Sequence, residues 1–222
     1  MHRRFKGIAA ALAGVTLFGA LAFAADKMVE LTLKLPKAMF AGTPTKMVSP
    51  NLDPKSGQKR AAFMVPEGTK LISAKKKVTA SDKYPVIGDL EQITDGDKEG
   101  GDGSFVELGP NKQWVQIDLG AKSTIQAIAL WHYHMQARIY RDIVIQVAAD
   151  ADFITDVKTV YNSDHDNSLG LGAGKDYEYI ETFEGRLIDA KGVTGRYVRL
   201  YSAGNTANAN NHYIEVEVYG AQ

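Results

Sequence analysis

The 222-residue sequence has no cysteine. No disulfide can brace it, and no thiolate can act as nucleophile or metal ligand. It has neither a G-x-S-x-G nor an H-E-x-x-H motif, so a serine-hydrolase elbow and a zinc-protease helix are both excluded. Proline is scarce beyond the first third, where only Pro85 and Pro110 follow Pro66. Helical periodicity is hard to find after Lys75, and no internal repeat is evident. Without covalent braces the core must supply the stability, and about 145 residues suffice for one such domain.

The formal net charge is zero, which conceals an asymmetry. Lys34 to Lys77 holds ten basic against two acidic residues; Val78 to Gln222 holds twelve against twenty-two. A basic arm therefore precedes an acidic domain. The arm carries five of the seven prolines, Pro36, Pro44, Pro50, Pro54 and Pro66, which resist regular ladders, so it reads as an extended segment. Before it, Val29, Leu31, Leu33 and Leu35 alternate with polar residues, the period of a strand. The arm's apolar residues, Met39, Phe40, Phe63, Met64 and Val65, suit pinning to the domain surface. Docking of one chain's arm on another's acidic domain is an alternative that would give self-association. No basic run is interleaved with a nucleic-acid motif, so nucleic acid is not an expected partner.

Residues 1–24 have the order of a signal peptide: a basic start at Arg3, Arg4 and Lys6, an apolar run, and Ala22-Phe23-Ala24 as cleavage site. Export to the periplasm or medium is expected, with no membrane span left after cleavage. The expected organisation is a signal peptide at 1–24, a strand and Pro-rich arm at 25–74, and a β domain at 75–222.

Strand-like runs fall near 75–80, 114–119, 124–134, 139–148, 157–162, 178–188, 196–202 and 212–219, separated by Gly, Asn, Asp or Pro. Short strands with polar turns predict an all-β antiparallel sandwich. Alternation assigns a face to each residue. Ile214, Val216 and Val218 share one, and so do Ile143, Ile145 and Val147. In 124–134 the pair Ile128 and Leu130 competes with Ile125, Ala127, Ala129 and Trp131, and the larger aliphatics favour the pair. Carried further, the core faces end in His132, His134, Arg141 and His212. Unpaired polar groups are costly in a core, so these four belong at an open end of the sandwich. Arg138, Asp164, His165, Asp166 and Asn205 lie in the neighbouring loops. Imidazole, guanidinium, carboxylate and amide groups suit sugar hydroxyls, and Tyr133 and Tyr140 offer flat faces for a pyranose. The H-x-H pair with His165 and His212 leaves a transition-metal site open as an alternative.

Three segments carry a resemblance: Gln113 to Gly120 (QWVQIDLG), Gly195 to Tyr201 (GRYVRLY) and Glu215 to Gly220 (EVEVYG). They resemble the discoidin, or coagulation-factor type C, family of galactose-binding-like domains. The resemblance covers about Lys75 to Gly220. It implies a jelly-roll β-sandwich, a binding rather than catalytic role, and carbohydrate or a glycosylated surface as partner. It also implies a structural Ca²⁺ held by Asp95 and Asp97, in the T-D-G-D turn, and by Glu215. A structural protein of the cell envelope is the other expectation, and an enzyme is not expected.

Overall fold

The computed structural model describes residues 27–38, 47–56 and 58–222. The proposed signal peptide and Met39, Phe40 and Pro44 of the arm lie outside them. The described chain is all-β, with one short 3-10 segment at Leu90–Thr94. In order, the strands are β1 Met28–Glu30, β2 Met64–Pro66, β3 Lys70–Leu71, β4 Lys77–Ala80, β5 Val106–Pro110 and β6 Gln113–Trp131. Then come β7 Val144–Ala148, β8 Lys158–Asn162, β9 Arg186–Ser202, β10 Asn210–Tyr213 and β11 Glu215–Ala221. Every pairing between strands is antiparallel. The main sheet runs β3-β11-β6-β9-β7-β8, and β4 also pairs with β6; β1-β2 and β5-β10 form two small ribbons.

β6 and β9 are each far longer than the strands expected there. The runs expected at 114–119 and 124–134 are one strand that ends at Trp131, interrupted by a register slip between Asp118 and Ser123. Its first half pairs with β4 and its second with β11. Val115 and Ile117 from the first half, and Ile128 and Leu130 from the second, bury in one core cluster. The sheet is thus folded back on itself to make the sandwich. Arg196 fixes the bend, gripping Asp118 with Nε and Nη2 at 2.7 and 2.8 Å, the bidentate geometry of a strong ion pair.

A second slip, between Ile125 and Ala127, settles which residues face inward: Ala127 pairs with Tyr219 and Ile125 with Gly220, so Gln126 is an extra residue against β11. A one-residue bulge exchanges the faces of everything after it. Ile125 therefore lies in the main core together with Ile128 and Leu130, against its expected grouping with Ala127, Ala129 and Trp131. The latter three form a separate buried layer with Ile214 and Tyr219. Leu31 and Leu33 of the segment before the arm, with Phe63 of the arm, cover this outer face. The arm is held on by Asp53 N–H to Glu178 O at 2.8 Å and by Arg186 to Asp53 at 2.9 Å.

The closing segment is broken too. β10 pairs with β5 and β11 with β6, and Ile214 lies between them. Tyr213, Val216 and Val218 enter the main core while Ile214 joins the outer layer, so Ile214 does not share a face with Val216 as alternation predicts. Residues 178–185 form no strand; β9 begins only at Arg186.

Candidate polar site at one end of the sandwich

His132 follows the last residue of β6 and keeps the facing of Leu130, toward the main core. Its Nδ1 lies 2.6 Å from Glu181 Oε1, and both side chains are fully buried. The imidazole stacks on Tyr140 at 4.2 Å between centroids, tilted by 17°, and meets Tyr213 at 4.9 Å. His212 arrives from β10, with Nε2 3.2 Å from Glu107 Oε2. Its ring is 6.0 Å from Tyr140 and 5.8 Å from Tyr133. The Arg138 guanidinium lies over Tyr133 at 4.5 Å, and Tyr133 meets Phe105 edge-on at 5.1 Å. The result is one packed cluster of three cationic or basic side chains, two carboxylates and a ring of aromatics.

Backbone pairing brings these loops together. Arg141 N–H bonds Gly204 O and Ala203 N–H bonds Arg141 O, both at 3.0 Å. Asn205 organises the following loop: its Nδ2 reaches Asn208 Oδ1 and Asn210 O, and its Oδ1 accepts from Ala207 and Asn208 N–H. Gly204 has φ +78°, and a Cβ there would meet Ala209 O at 2.9 Å, so glycine is required at this crossing. Asn210 Nδ2 then donates to Glu107 Oε1 at 2.6 Å.

Burial disfavours charge throughout the cluster. It pulls His212 down to about 4, against the opposing pull of Glu107, with Arg138 reinforcing it. It also pushes Tyr140 and Tyr179 well up. His132 Nε2, Arg138 Nε, Tyr140 Oη, Tyr179 Oη, Glu181 Oε2 and His212 Nδ1 have no hydrogen-bond partner among the described residues. Buried atoms of this kind each cost about 1–3 kcal/mol when unpaired.

The structure thus brings together His132, Arg138 and His212. It does not bring His134 to them. β6 ends at Trp131, so alternation no longer governs residue 134. His134 lies instead beside Gly100, with Nε2 2.8 Å from Lys98 O. Arg141 is exposed. Asp164 is fully buried, but its carboxylate accepts from Ser168 and Leu169 N–H, both at 2.9 Å, holding its own loop. His165 is half-buried and Asp166 exposed in that loop. Asn205 is a loop organiser, as described above. Glu107, Tyr179 and Glu181 had no place among the expected site residues. Tyr179 and Glu181 alternate in sequence, a signal of a shared face, but nothing local indicates that Glu181 meets a histidine 49 positions earlier.

Two places bear on cations. At the expected calcium turn, Glu215 is buried and accepts Gly96 N–H at 3.0 Å, so the turn and the closing strand do meet. Burial pushes its carboxyl up to about 8. Asp95 and Asp97 are exposed and cap the turn's own N–H groups. Glu215 thus reaches the turn through a backbone N–H, and among the described residues the carboxylates of Asp95, Asp97 and Glu215 do not converge into one ligand group. Separately, oxygens of Asp142, Asp164 and Asp166 lie within 4.8 Å of one another, a group that could hold a metal ion. No histidine belongs to such a group among the described residues.

The profile of the NedA-like, galactose-binding domain family matches residues 92–200. No curated protein matches the sequence. Among solved structures, a family 89 glycoside hydrolase from Clostridium perfringens aligns at 17% identity with a TM-score of 0.50. That alignment covers 68% of this chain and 15% of the hydrolase. A fucose-binding module from Streptococcus pneumoniae aligns at 18% identity and a TM-score of 0.49, covering 69% of this chain and 99% of the module. A chitosan-binding module of a Paenibacillus sp. IK-5 chitosanase/glucanase aligns at 22% and 0.44, covering 68% and 99%. At these identities the likeness is one of fold.

Proposed function

Since the chain carries, over residues 92–200, a galactose-binding domain of the F5/F8 type C, NedA-like family, we propose that it is a non-catalytic carbohydrate-binding protein that reads sugar hydroxyls at the sandwich end built by His132, Arg138 and His212. The observation behind this is the convergence there of Arg138 Nε and His212 Nδ1, which take no partner among the described residues, directly beneath an accessible polar rim. A polyhydroxylated ligand is the guest whose groups match such a set. Half-buried Tyr133 and Glu107 and exposed Gln136 form the accessible rim. The His132–Glu181 pair lies too deep to touch ligand and holds the rim from beneath. Calcium enters only as a structural ion at Glu215 and the Asp95–Asp97 turn.

Glycan-array screening followed by calorimetry tests the reading, using the full chain with and without added calcium. Arg138→Ala and His212→Ala each remove a hydrogen-bonding group, worth about 1.5–3 kcal/mol where charge is involved. Each is expected to weaken binding at least tenfold. Wild-type affinity in both variants, or no glycan bound by the wild type, would sink the proposal. Equal affinity and melting temperature with calcium and with a chelator would remove the ion from it.

A further inference from the structure

The arm and the sandwich enclose a recess of about 600 Å³, which shares Tyr179 with the polar end. One wall is Asp53, Lys55, Ser56 and 58–63 of the arm, and the other is Tyr179, Ile180 and 182–187. Its charge is lopsided. Lys55, Lys59, Arg60 and Arg186 line it, against Asp53 and Glu184. Both arginines are largely withdrawn from water, with side chains 27% and 28% exposed. Burial lowers the Arg60 pKa, against the pull of Glu184 and reinforced by the nearby Arg186 charge, whereas Arg186 is raised, burial being outweighed by its neighbours, Asp53 included.

The protein satisfies these groups only in part. Arg60 Nη2 donates to the carbonyls of Glu184 and Gly185, and its distance to the Glu184 carboxylate is a loose 3.9 Å. Arg186 Nη1 donates to Asp53 at 2.9 Å, and its guanidinium lies over Tyr179 at 5.0 Å. Among the described residues, Nε and Nη1 of Arg60 and Nε and Nη2 of Arg186 take no acceptor. Planar guanidinium forks with free N–H groups match carboxylate, sulfate or phosphate oxygens two at a time. Phe63 and Phe183 supply apolar surface in the same recess, which an inorganic anion would not use and a sugar ring would.

We propose that this recess is a second binding site, taking the anionic group of an acidic saccharide, either a uronate carboxylate or a sulfate ester. The proposal rests on the reading of the chain as a carbohydrate-binding protein, but on different residues. Arg60 and Arg186 grip the anion, Lys59 and Lys55 draw it in from solvent, and the phenylalanines flank the ring. The site exists only because the arm folds back on the sandwich, so the family domain alone lacks it.

Calorimetry of the full chain against trigalacturonate, a sulfated galacto-oligosaccharide and a neutral galacto-oligosaccharide, at 20 and 200 mM salt, tests it. An acidic oligomer is expected to bind at least tenfold more tightly than the neutral one at low salt, with the advantage shrinking at high salt. Binding of trigalacturonate identifies the anion as a carboxylate; binding of the sulfated oligomer alone identifies it as a sulfate ester. Arg60→Gln is expected to remove the advantage. Lys59→Glu, on an exposed side chain that folding does not need, is expected to cut it at least fivefold, while the charge control Lys122→Gln keeps it. No advantage for either acidic oligomer, or an advantage retained in Arg60→Gln and Lys59→Glu, would overturn the proposal. The neutral sugar is scored in the same titrations, so its failure to bind counts against the polar end and not against the recess.

Discussion

His212 faces Glu107 across 3.2 Å, while Arg138 bears on it with positive charge and the rings of Phe105, Tyr133 and Tyr140 pack around it. Burial outweighs the carboxylate and brings its pKa to about 4, below the ordinary value near 6.5. The unfolded chain therefore takes up a proton between about pH 6.5 and 4 that the folded chain refuses. The contribution to stability is complete above pH 6.5 and is lost as pH falls toward 4. Urea unfolding from pH 7 to 4.5 is expected to show this loss, and His212→Gln to flatten it. An equal slope in the variant would show that other groups carry it. How far the sequence reveals this site differs by residue. His132 is legible because Leu130, two positions earlier, is an unmistakable core residue on a continuous strand. His134 is not, because the strand stops at Trp131 and a contact to the Lys98 carbonyl decides its place.

At the scale of elements, the telling pair is Lys98 and Glu217, from the 95–100 turn and from β11. Both are buried, with side chains 6% and 5% exposed, and form an ion pair. Lys98 also lies over the Trp131 ring at 5.2 Å, and Tyr219 Oη donates to Glu217 at 2.7 Å. Removing one partner of such a pair leaves an uncompensated charge, which costs about 3–5 kcal/mol. Lys98→Met is expected to lose stability on that scale. Lys98→Met with Glu217→Gln, which keeps an acceptor for Tyr219, is expected to recover much of it. Urea melts of the single and double variants decide, and simple additivity would refute the coupling. This burial could not be read from E-V-E-V, where alternation gives Glu215 and Glu217 the face away from the core. It assigns the face correctly but not its fate, because what covers that face lies elsewhere in the chain. The bulges were equally hidden. A slip between Ile125 and Ala127 depends on pairing with β11, some ninety residues on, and it reverses the faces that local alternation proposes.

Across the whole molecule, the sandwich was legible and the double burial of its main sheet was not. Strands, polar turns and the three family segments suffice for an all-β fold, since alternation is a local signal. The outer layer of Ala127, Ala129, Trp131, Ile214 and Tyr219 is closed by Leu31, Leu33 and Phe63, which a charge count marks only as neighbours of a basic arm. The arm's charge is thus secondary to its apolar residues in fixing it on the sheet. Phe63→Asp puts a charge against Trp131 and its neighbours and forfeits the burial of an aromatic side chain, worth roughly 1.5–3 kcal/mol. A lower melting temperature and increased binding of a hydrophobic dye are expected. A chain starting at Gly68 removes Leu31, Leu33 and Phe63, leaving only Phe105 and Leu187 on this apolar face, and its exposure drives association. Light scattering is expected to show oligomers for this truncation and not for the full chain. A truncated monomer with an unchanged melt would show that the arm does not stabilise the sandwich, and would require another origin for the burial of Trp131.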